Sequence, residues 1–547
     1  MKLSKIRFFL TKYAAGIFCI LAVSCTSLPK EAAGETSALN YEKPDVVENE
    51  IQRIKAFLPE NPSAALFRAW LLQEQNILEE CIQENVRLGK EAFEKEDWAA
   101  CLKIAKSFES LQLQHRLSFT SSQMETNLLA DVPGIKSPSK AADSLSQAIN
   151  STVTIVVDKG IKISYGTGYL DTVLGSGFFI DERGYIITNH HVIEALVDPE
   201  YEGYARLYIK LASDSETKYP AKVIGYDSVM DLALLKTEVD VPNVLLLDNT
   251  KDLAAGDRVT VIGSPLGLEA SVSQGVISST ERTLFTQGKV FQLDASVNPG
   301  NSGGPCIGDN LKVQAVVFAS VLESEGLNFA IPVDYLIQEL PYLYNGVEFS
   351  GQFNHSWTGC YGKNRRSAGT KSGVDICYVI PGTSAVYSNL KKGDVIKEAD
   401  GKNISTVEDL QNVYRTYQPG TILNLTVEDE EKGLVSVPVL LEKRPNDPAY
   451  LAYKSDLIER SFIPLFGMKM TRSSTNSKKV YKIDWVIPGS ECDEAKFSEN
   501  DTVTVTDVKA DIKNKYIYAT VYTKRKKAGF LDVAMILTAN FDSPWYF

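Results

Sequence analysis

Three short segments carry residue types that together can cut an amide bond. The loop Asn301-Ser302-Gly303-Gly304-Pro305 presents a serine hydroxyl among glycines, which let backbone amides approach a reacting carbonyl closely. Upstream, Tyr185-Ile186-Ile187-Thr188-Asn189-His190-His191-Val192 closes a β-hairpin pattern on a pair of imidazoles. Asp231-Leu232-Ala233-Leu234-Leu235 sets an acid at the start of an apolar strand, where it can be buried beside a base. Nucleophilic cleavage needs a hydroxyl, a base for its proton, a group that holds the base in the right tautomer, and donors for the developing oxyanion. All four are present. Two positions have rivals: His190 competes with His191 as base, and Asp227, which precedes a turn, competes with Asp231 as orienter. The histidines number 4 and no His-Glu-x-x-His occurs, so neither a metal nor a cofactor is expected.

These segments resemble the HtrA (Deg-type) family of trypsin-like serine proteases with PDZ domains, and the protease part of the resemblance runs from about Ser151 to Leu343. The chain order His, Asp, Ser matches, as do Ile262-Gly263-Ser264-Pro265-Leu266-Gly267 and Leu327-Asn328-Phe329-Ala330-Ile331-Pro332. The resemblance implies His191 as general base, because the family sets that histidine directly before Val. It implies Asp231 as orienter, from the family's Asp-Leu-Ala-Leu, and Ser302 as nucleophile. The amides of Gly300 and Ser302, with or without that of Asn301, would then form the oxyanion hole. It also implies a homo-oligomer, a trimer in this family. Proteases switched on by zymogen cutting commonly place Asp before the nucleophile to pair with a freed α-amino group; Asn301 is uncharged, which points to control by peptide binding or oligomer contacts instead. Asp294 reads as structural.

Downstream, Trp357-Thr358-Gly359-Cys360-Tyr361-Gly362, Gly373-Val374-Asp375-Ile376-Cys377-Tyr378-Val379-Ile380-Pro381-Gly382 and Leu390-Lys391-Lys392-Gly393-Asp394-Val395-Ile396 resemble a PDZ domain. Such a domain captures a peptide's C-terminal carboxylate in a backbone loop while the peptide adds a strand to the sheet. Thr358, Gly359, Cys360 and Tyr361 would be that loop. Val379 to Ser384 recurs as Val486-Ile487-Pro488-Gly489-Ser490-Glu491, and at the same offset Leu390, Asp394 and Ile396 recur as Phe497, Asp501 and Val503. A second, diverged PDZ-like module is therefore expected, with Leu465-Phe466-Gly467-Met468 as its candidate loop and Asn500-Asp501 where Gly-Asp is usual. Packing and peptide capture are both open roles for it. Lys524, Arg525, Lys526 and Lys527 read as a solvated turn.

The elements that must position these residues follow from pattern and length. At 547 residues the chain exceeds what one hydrophobic core organises, and 44% hydrophobic with 23% charged residues is ordinary globular composition. A net charge of -12 argues against a general affinity for nucleic acid or anionic lipid. Short β-rich runs from Ser151 to Phe318, separated by Gly, Asp and Asn turns, suggest barrels or sandwiches. From Val46 to about Leu113 apolar residues recur at three- and four-residue steps, which predicts helices, and Arg87 to Ala100 looks like a tetratricopeptide helix-turn-helix. An adaptor and a stalk are both consistent with it. With what the family resemblance implies, the expected fold is mainly β: a chymotrypsin-like double β-barrel protease followed by two PDZ-like domains, with an α-helical N-terminal segment. The expected divisions are a signal with lipobox (1–25), a tether (26–45), a helical segment (46–120), a linker (121–150), the protease (151–345), a PDZ domain (350–445) and a diverged PDZ-like domain (455–547).

Lys2, Lys5, Arg7 and Lys12 precede an apolar run from Tyr13 to Val23, which reads as an export signal. The run falls short of the ~20 apolar residues a membrane span needs. Leu21-Ala22-Val23-Ser24-Cys25 resembles a bacterial lipobox, which would make Cys25 the lipid attachment site and tether the protein to the membrane; a plain signal peptide and an uncleaved anchor are the alternatives. The expected location is the periplasmic side of a bacterial cell envelope, with either membrane holding the lipid. Of the cysteines left after export, buried free thiols are the simplest reading, and Cys81 with Cys101 is the one bridge to test. The expected activity is endoproteolysis of unfolded or damaged proteins, with peptide C-termini as PDZ ligands. A chaperone or scaffold that hardly cuts, and a regulatory protease with one membrane partner, share the same residues.

Overall fold

The computed structural model describes residues 44–547 except 137, 199–200, 202, 265–270, 285–286, 321–326, 346–350, 368, 474–478 and 527–529. Cys25, the export signal and most of the tether lie outside the described residues, as do Pro265, Leu266 and Gly267 of the sequence motif that begins at Ile262. The chain forms two compact units: Gly89–Ala105 with Ser118–Asn354, and residues up to Leu88 with Lys106–Leu117 and His355–Phe547.

The first of these contains two closed barrels. One uses β1 (Thr152–Ser164), β2 (Thr167–Asp181), β3 (Tyr185–Thr188), β4 (Arg206–Leu211), β5 (Asp214–Asp227) and β6 (Leu232–Thr237), in the order β1-β2-β3-β6-β5-β4. Alternate residues Val153, Ile155 and Val157 of β1 point inward and meet Phe179, Ile209 and Leu235, so the period-two apolar pattern becomes the barrel core. The other uses β7 (Arg258–Gly263), β8 (Ser271–Arg282), β9 (Val290–Leu293), β10 (Pro305–Ile307), β11 (Val313–Ser320) and β12 (Asn328–Pro332), closed as β10-β11-β12-β9-β8-β7 around Val259, Val261, Leu293, Ala315 and Val317. Closure leaves no sheet edge exposed and fixes the loops at the barrel ends.

Residues 121–150, expected as a linker, are instead bound into this unit. Helix Ser121–Leu129 begins with a capping box between Thr120 and Gln123 and buries Met124 and Leu128. Further on, the Ala142 amide donates to the Val244 carbonyl at 2.9 Å and the Val244 amide to the Lys140 carbonyl at 3.0 Å. The backbone of this polar stretch is satisfied by the barrel, and that holds it in place. Gly89 sits where a Cβ would lie 3.3 Å from the Phe119 ring and 3.6 Å from Ile104, so a small residue lets two helical segments touch.

In the second unit, helices Pro44–Phe57 and Pro62–Leu72 are joined by the buried Arg68–Glu50 pair, with Arg68 Nε 2.6 Å from Glu50 Oε1. A sheet formed by Cys360–Ser367, Thr370–Val379, Val395–Ala399, Ile422–Asp429 and Gly433–Leu440 carries helix Val407–Arg415. The final sheet is a meander of Met468–Arg472, Val480–Val486, Thr502–Asp511, Tyr516–Lys526 and Phe530–Asn540. Lys524, Arg525 and Lys526 close a strand rather than a turn, because they pair with Asp532, Leu531 and Phe530; Lys527 lies outside the described residues.

Cys81, Cys101, Cys306, Cys360, Cys377 and Cys492 are buried free thiols, and the Cys81–Cys101 bridge is not formed. Burial pushes the Cys306 thiol up to about 12, so it is an inert apolar side chain. Among the described residues no helix is long and apolar enough to cross a membrane.

The barrel core makes one stability prediction. Leu235 is fully buried, and Leu235→Ala should cost about 2–5 kcal/mol in urea unfolding of the two-barrel unit, the range for deleting a packed leucine. A loss under about 1 kcal/mol would contradict the packing.

Candidate active site

The three chemistry-bearing segments converge at the barrel ends. His191 lies in helix His190–Val197, which starts directly after β3, and Asp231 immediately precedes β6, the strand paired with β3. Asp231 Oδ2 is 2.7 Å from His191 Nδ1, and Asp231 Oδ1 accepts from the His191 backbone amide at 2.8 Å. One carboxylate thus fixes both the ring and the backbone that carries it. To do so Asp231 adopts φ 57°, a left-handed conformation that costs a non-glycine residue about 1 kcal/mol. Asn189 donates from Nδ2 to the Asp231 carbonyl at 2.8 Å and holds the strained residue from behind.

The rivals fall elsewhere. His190 is stacked on Tyr226, with ring centroids 5.1 Å apart, and burial lowers its pKa against the opposing pull of Asp231, Glu194 and Asp227. Asp227 is buried and accepts from the Val229 amide at 2.8 Å, capping the turn before Asp231. Asp294 accepts from the Val276 amide at 2.5 Å, in keeping with a structural role.

For His191, desolvation works to lower the pKa, but the charge and hydrogen bond of Asp231, joined by Glu194, outweigh it and leave the pKa raised. The ring is 44% exposed, so it is open to substrate on the side away from Asp231.

Ser302 follows Asn298-Pro299-Gly300-Asn301, a turn closed by the Asn301 amide on the Asn298 carbonyl at 3.0 Å. That bond uses the Asn301 donor. The Gly300 and Ser302 amides have no acceptor among the described residues, which is what an oxyanion site requires. The Ser302 hydroxyl donates to the Phe318 carbonyl at 3.4 Å and makes no hydrogen bond to His191 in this arrangement. A rotation about its Cα–Cβ bond is therefore part of engaging the base.

Several residues that hold the loop were not singled out from the sequence. Ser176, on β2, donates from Oγ to the Gly300 carbonyl at 2.6 Å and accepts from the Ser264 amide at 2.9 Å, while its own amide donates to the Ser302 carbonyl at 2.7 Å. Thr188 Oγ1 donates to the Ser176 carbonyl at 2.7 Å. The Gly175-Ser176-Gly177 run was the available signal: a polar residue between glycines in an otherwise apolar strand. Gly303 has φ 84°, and a Cβ there would lie 2.2 Å from the Ser176 carbonyl oxygen and 2.3 Å from Thr188 Oγ1, so no side chain fits. Asn301 is buried, with its Oδ1 beside Gly263 and unpaired among the described residues. An ionised Asp at this position would be a buried charge without a partner.

The PDZ-loop residues Thr358, Gly359, Cys360 and Tyr361 lie at the start of strand Cys360–Ser367, which is the sheet edge flanked by helix Val407–Arg415. In the second module the candidate loop closes a helix instead: the Gly467 amide donates to the Phe462 and Ile463 carbonyls at 3.1 and 3.0 Å. That module runs from Thr502–Asp511 to Tyr516–Lys526 through a turn, where the first places Val407–Arg415. Among the described residues no helix stands between those two strands to wall a peptide groove.

Four stretches of the chain match known families. The family of the Trypsin-like peptidase domain matches residues 175–316 and that of the PDZ domain 346–454; the TP0546 family PDZ domain matches 449–541, and a domain of unknown function matches 45–129. A probable periplasmic serine endoprotease, DegP-like, from Halomonas elongata is 34% identical over 266 residues, covering 46% of this chain and 53% of the relative. Its namesake in Marinomonas is 30% identical over 323 residues, covering 57% and 65%. The chain thus spans between about half and just under two thirds of these relatives. Among solved structures, the HtrA-type protease AlgW with tripeptide is 24% identical over 55% of this chain and 96% of that one, with a TM-score of 0.46.

The geometry makes a pH prediction. A histidine that serves as general base must be neutral, so with the raised pKa of His191 such an activity would be lost as pH falls through a value above the usual imidazole range near 6.5. The pair's contribution to stability runs the other way: it is present at low pH and lost as pH rises through the raised value. The acid limb of kcat/KM is expected above pH 6.5, and Asp231→Asn should lower kcat by about 10⁴ through the wrong tautomer and move that limb down. An unchanged limb in Asp231→Asn would refute the coupling.

Proposed function

We propose that this chain, which has the HtrA-type architecture of a trypsin-like peptidase domain followed by PDZ domains, is a periplasmic serine endopeptidase. It would cleave unfolded or damaged proteins through an acyl-enzyme on Ser302. The observation that carries the reading is the Asp231 carboxylate holding His191 by ring and backbone beside a serine whose own amide and that of Gly300 have no acceptor among the described residues.

The chemistry follows from those groups. Ser302 Oγ turns from the Phe318 carbonyl and attacks the scissile carbonyl carbon as its proton passes to His191 Nε2. The carbonyl electron pair moves onto oxygen, where the Gly300 and Ser302 amides receive it. Asp231 keeps the Nδ1 proton in place and stabilises the imidazolium. Collapse breaks the C–N bond, and the leaving amine takes the proton from His191; water then repeats the sequence on the ester. Each oxyanion donor supplies about 3 kcal/mol of transition-state stabilisation in such sites.

The decisive comparison is purified wild type against Ser302→Ala on casein, with an active-site serine probe. Labelling and casein cleavage are expected only in the wild type. Equal cleavage by both and no labelling would leave a binding protein in place of an enzyme.

Anchoring and assembly belong to the same proposal. The lipobox resemblance supports lipid attachment at Cys25, and the family resemblance supports a trimer. Cys25→Ser should leave the membrane fraction and elute as a trimer by light scattering. A variant that stays in the membrane, or a monomer, would remove the corresponding part.

A further inference from the structure

The groove of the first PDZ module is already filled. The last three residues of the sequence, Trp545, Tyr546 and Phe547, lie antiparallel to strand Cys360–Ser367. The Gly362 amide donates to the Trp545 carbonyl at 3.1 Å, and the Phe547 amide donates to the Cys360 carbonyl at 2.9 Å. The amides of Gly359 and Cys360 converge on the Phe547 oxygen at 3.1 and 2.9 Å, and Thr358 Oγ1 adds a third bond at 3.2 Å. These are the loop residues expected to receive a peptide's terminal oxygen.

The side chains agree with the backbone. The Phe547 ring is 1% exposed, within the same apolar cluster as Cys360, Ile376, Leu410 and Tyr414. Gly362 makes room for it: a Cβ there would lie 2.8 Å from the Phe547 ring. From the flanking helix, Gln411 Nε2 donates to the Pro544 and Tyr546 carbonyls at 3.1 and 3.2 Å. The segment is fixed at its base by Arg444, which grips Asp542 with bonds of 2.8 and 2.6 Å.

We propose that residues 545–547 are a built-in ligand of this PDZ groove, so that an outside peptide binds only by displacing them. This deepens the peptide-binding part of the proposed function and is independent of the proteolytic part. The ligand class is a peptide whose last residue is a large aromatic or apolar one, because the pocket that closes on Phe547 is apolar and its rim is a set of backbone donors.

Displacement has a structural route. The built-in ligand bonds the edge strand only at Cys360 and Gly362, because Ser543 and Pro544 turn it away: the Tyr546 amide bonds back to the Ser543 carbonyl, and proline has no amide to give. The strand continues to Ser367 as the edge of its sheet. Beside it lies a cavity of about 1000 Å³ lined by Lys363, Arg365, Glu428 and Trp545. A longer extended peptide therefore gains ladder bonds and side-chain contacts that the built-in segment does not make. It needs them, since a tethered competitor acts at an effective concentration of about millimolar.

The test uses the full chain carrying Ser302→Ala, which separates binding from cleavage, and a fluorescent decapeptide ending Ser-Pro-Trp-Tyr-Phe. Polarisation should show that deleting 545–547 tightens peptide binding at least ~10-fold over the undeleted chain. Asp542→Asn should tighten it in the same direction by loosening the anchor outside the groove, and it decides the matter if the deletion does not fold. Equal affinities for the undeleted chain and Asp542→Asn, or no binding by a folded deletion variant, would overturn the proposal.

Discussion

The two hydrogen bonds that Asp231 makes to His191 are the constraint around which the protease unit is arranged. A carboxylate that meets a ring nitrogen and the backbone amide of the same residue leaves the imidazole one orientation and one tautomer. That geometry requires Asp231 to stand in a left-handed conformation at the entry to β6, and it requires β6 to be paired with β3 so that the two residues arrive at one end of the barrel. The apolar core formed by β1, β3 and β6 holds that register, because a slip of one residue would turn every inward side chain out. Strain at Asp231 is then carried by a barrel that cannot relax without losing its core.

The nucleophile is held by a different logic. Ser302 sits on a loop with little side-chain bulk, and the loop's Gly300 and Ser302 carbonyls accept from Ser176 of the other barrel, whose own carbonyl is held by Thr188. Gly303 is excluded from carrying a side chain by those same contacts. The bonds that shape the oxyanion site therefore cross from one barrel to the other, so any change in barrel packing reaches the amides of Gly300 and Ser302. Since the Ser302 hydroxyl rests on the Phe318 carbonyl, what remains for substrate to complete is a side-chain rotation.

The pairing of His191 with Asp231 was legible because a base and its orienter need particular residue types in short motifs. Family resemblance set them apart from His190 and Asp227, and Asp231 is the acid that meets the His191 ring. Short alternating runs announced barrels or sandwiches, and the family resemblance narrowed them to the double barrel that the structure has. The bonding of 121–150 was less legible: its contacts with Val244 are backbone bonds, to which almost any sequence is equally suited, and the Thr120–Gln123 helix start went unread beside the turn residues that follow it. The second module shows the converse. Its repeat of Val-Ile-Pro-Gly preserves a strand and turn, but the groove depends on a helix between later strands. The repeated motif does not extend to that segment, and a turn stands there instead.

The occupied groove could not be read from motifs for a related reason. Strand addition is held by main-chain bonds and by alternate side chains, so the ligand strand carries almost no sequence constraint beyond its last positions. Trp545, Tyr546 and Phe547 look like the frayed end of a sheet until the partner strand is seen. In the structure their side chains divide by the period of two: Phe547 enters the first module's core, while Tyr546 enters a second cluster, to which both modules contribute, and donates to the Pro464 carbonyl. A single three-residue segment thus belongs to two hydrophobic clusters. Withdrawing it would open both, and this couples release of the groove to the packing of the second module. On the proposal above, the diverged module, in which a turn stands where its neighbour has the groove helix, would present the ligand of that neighbour and set how tightly it is held.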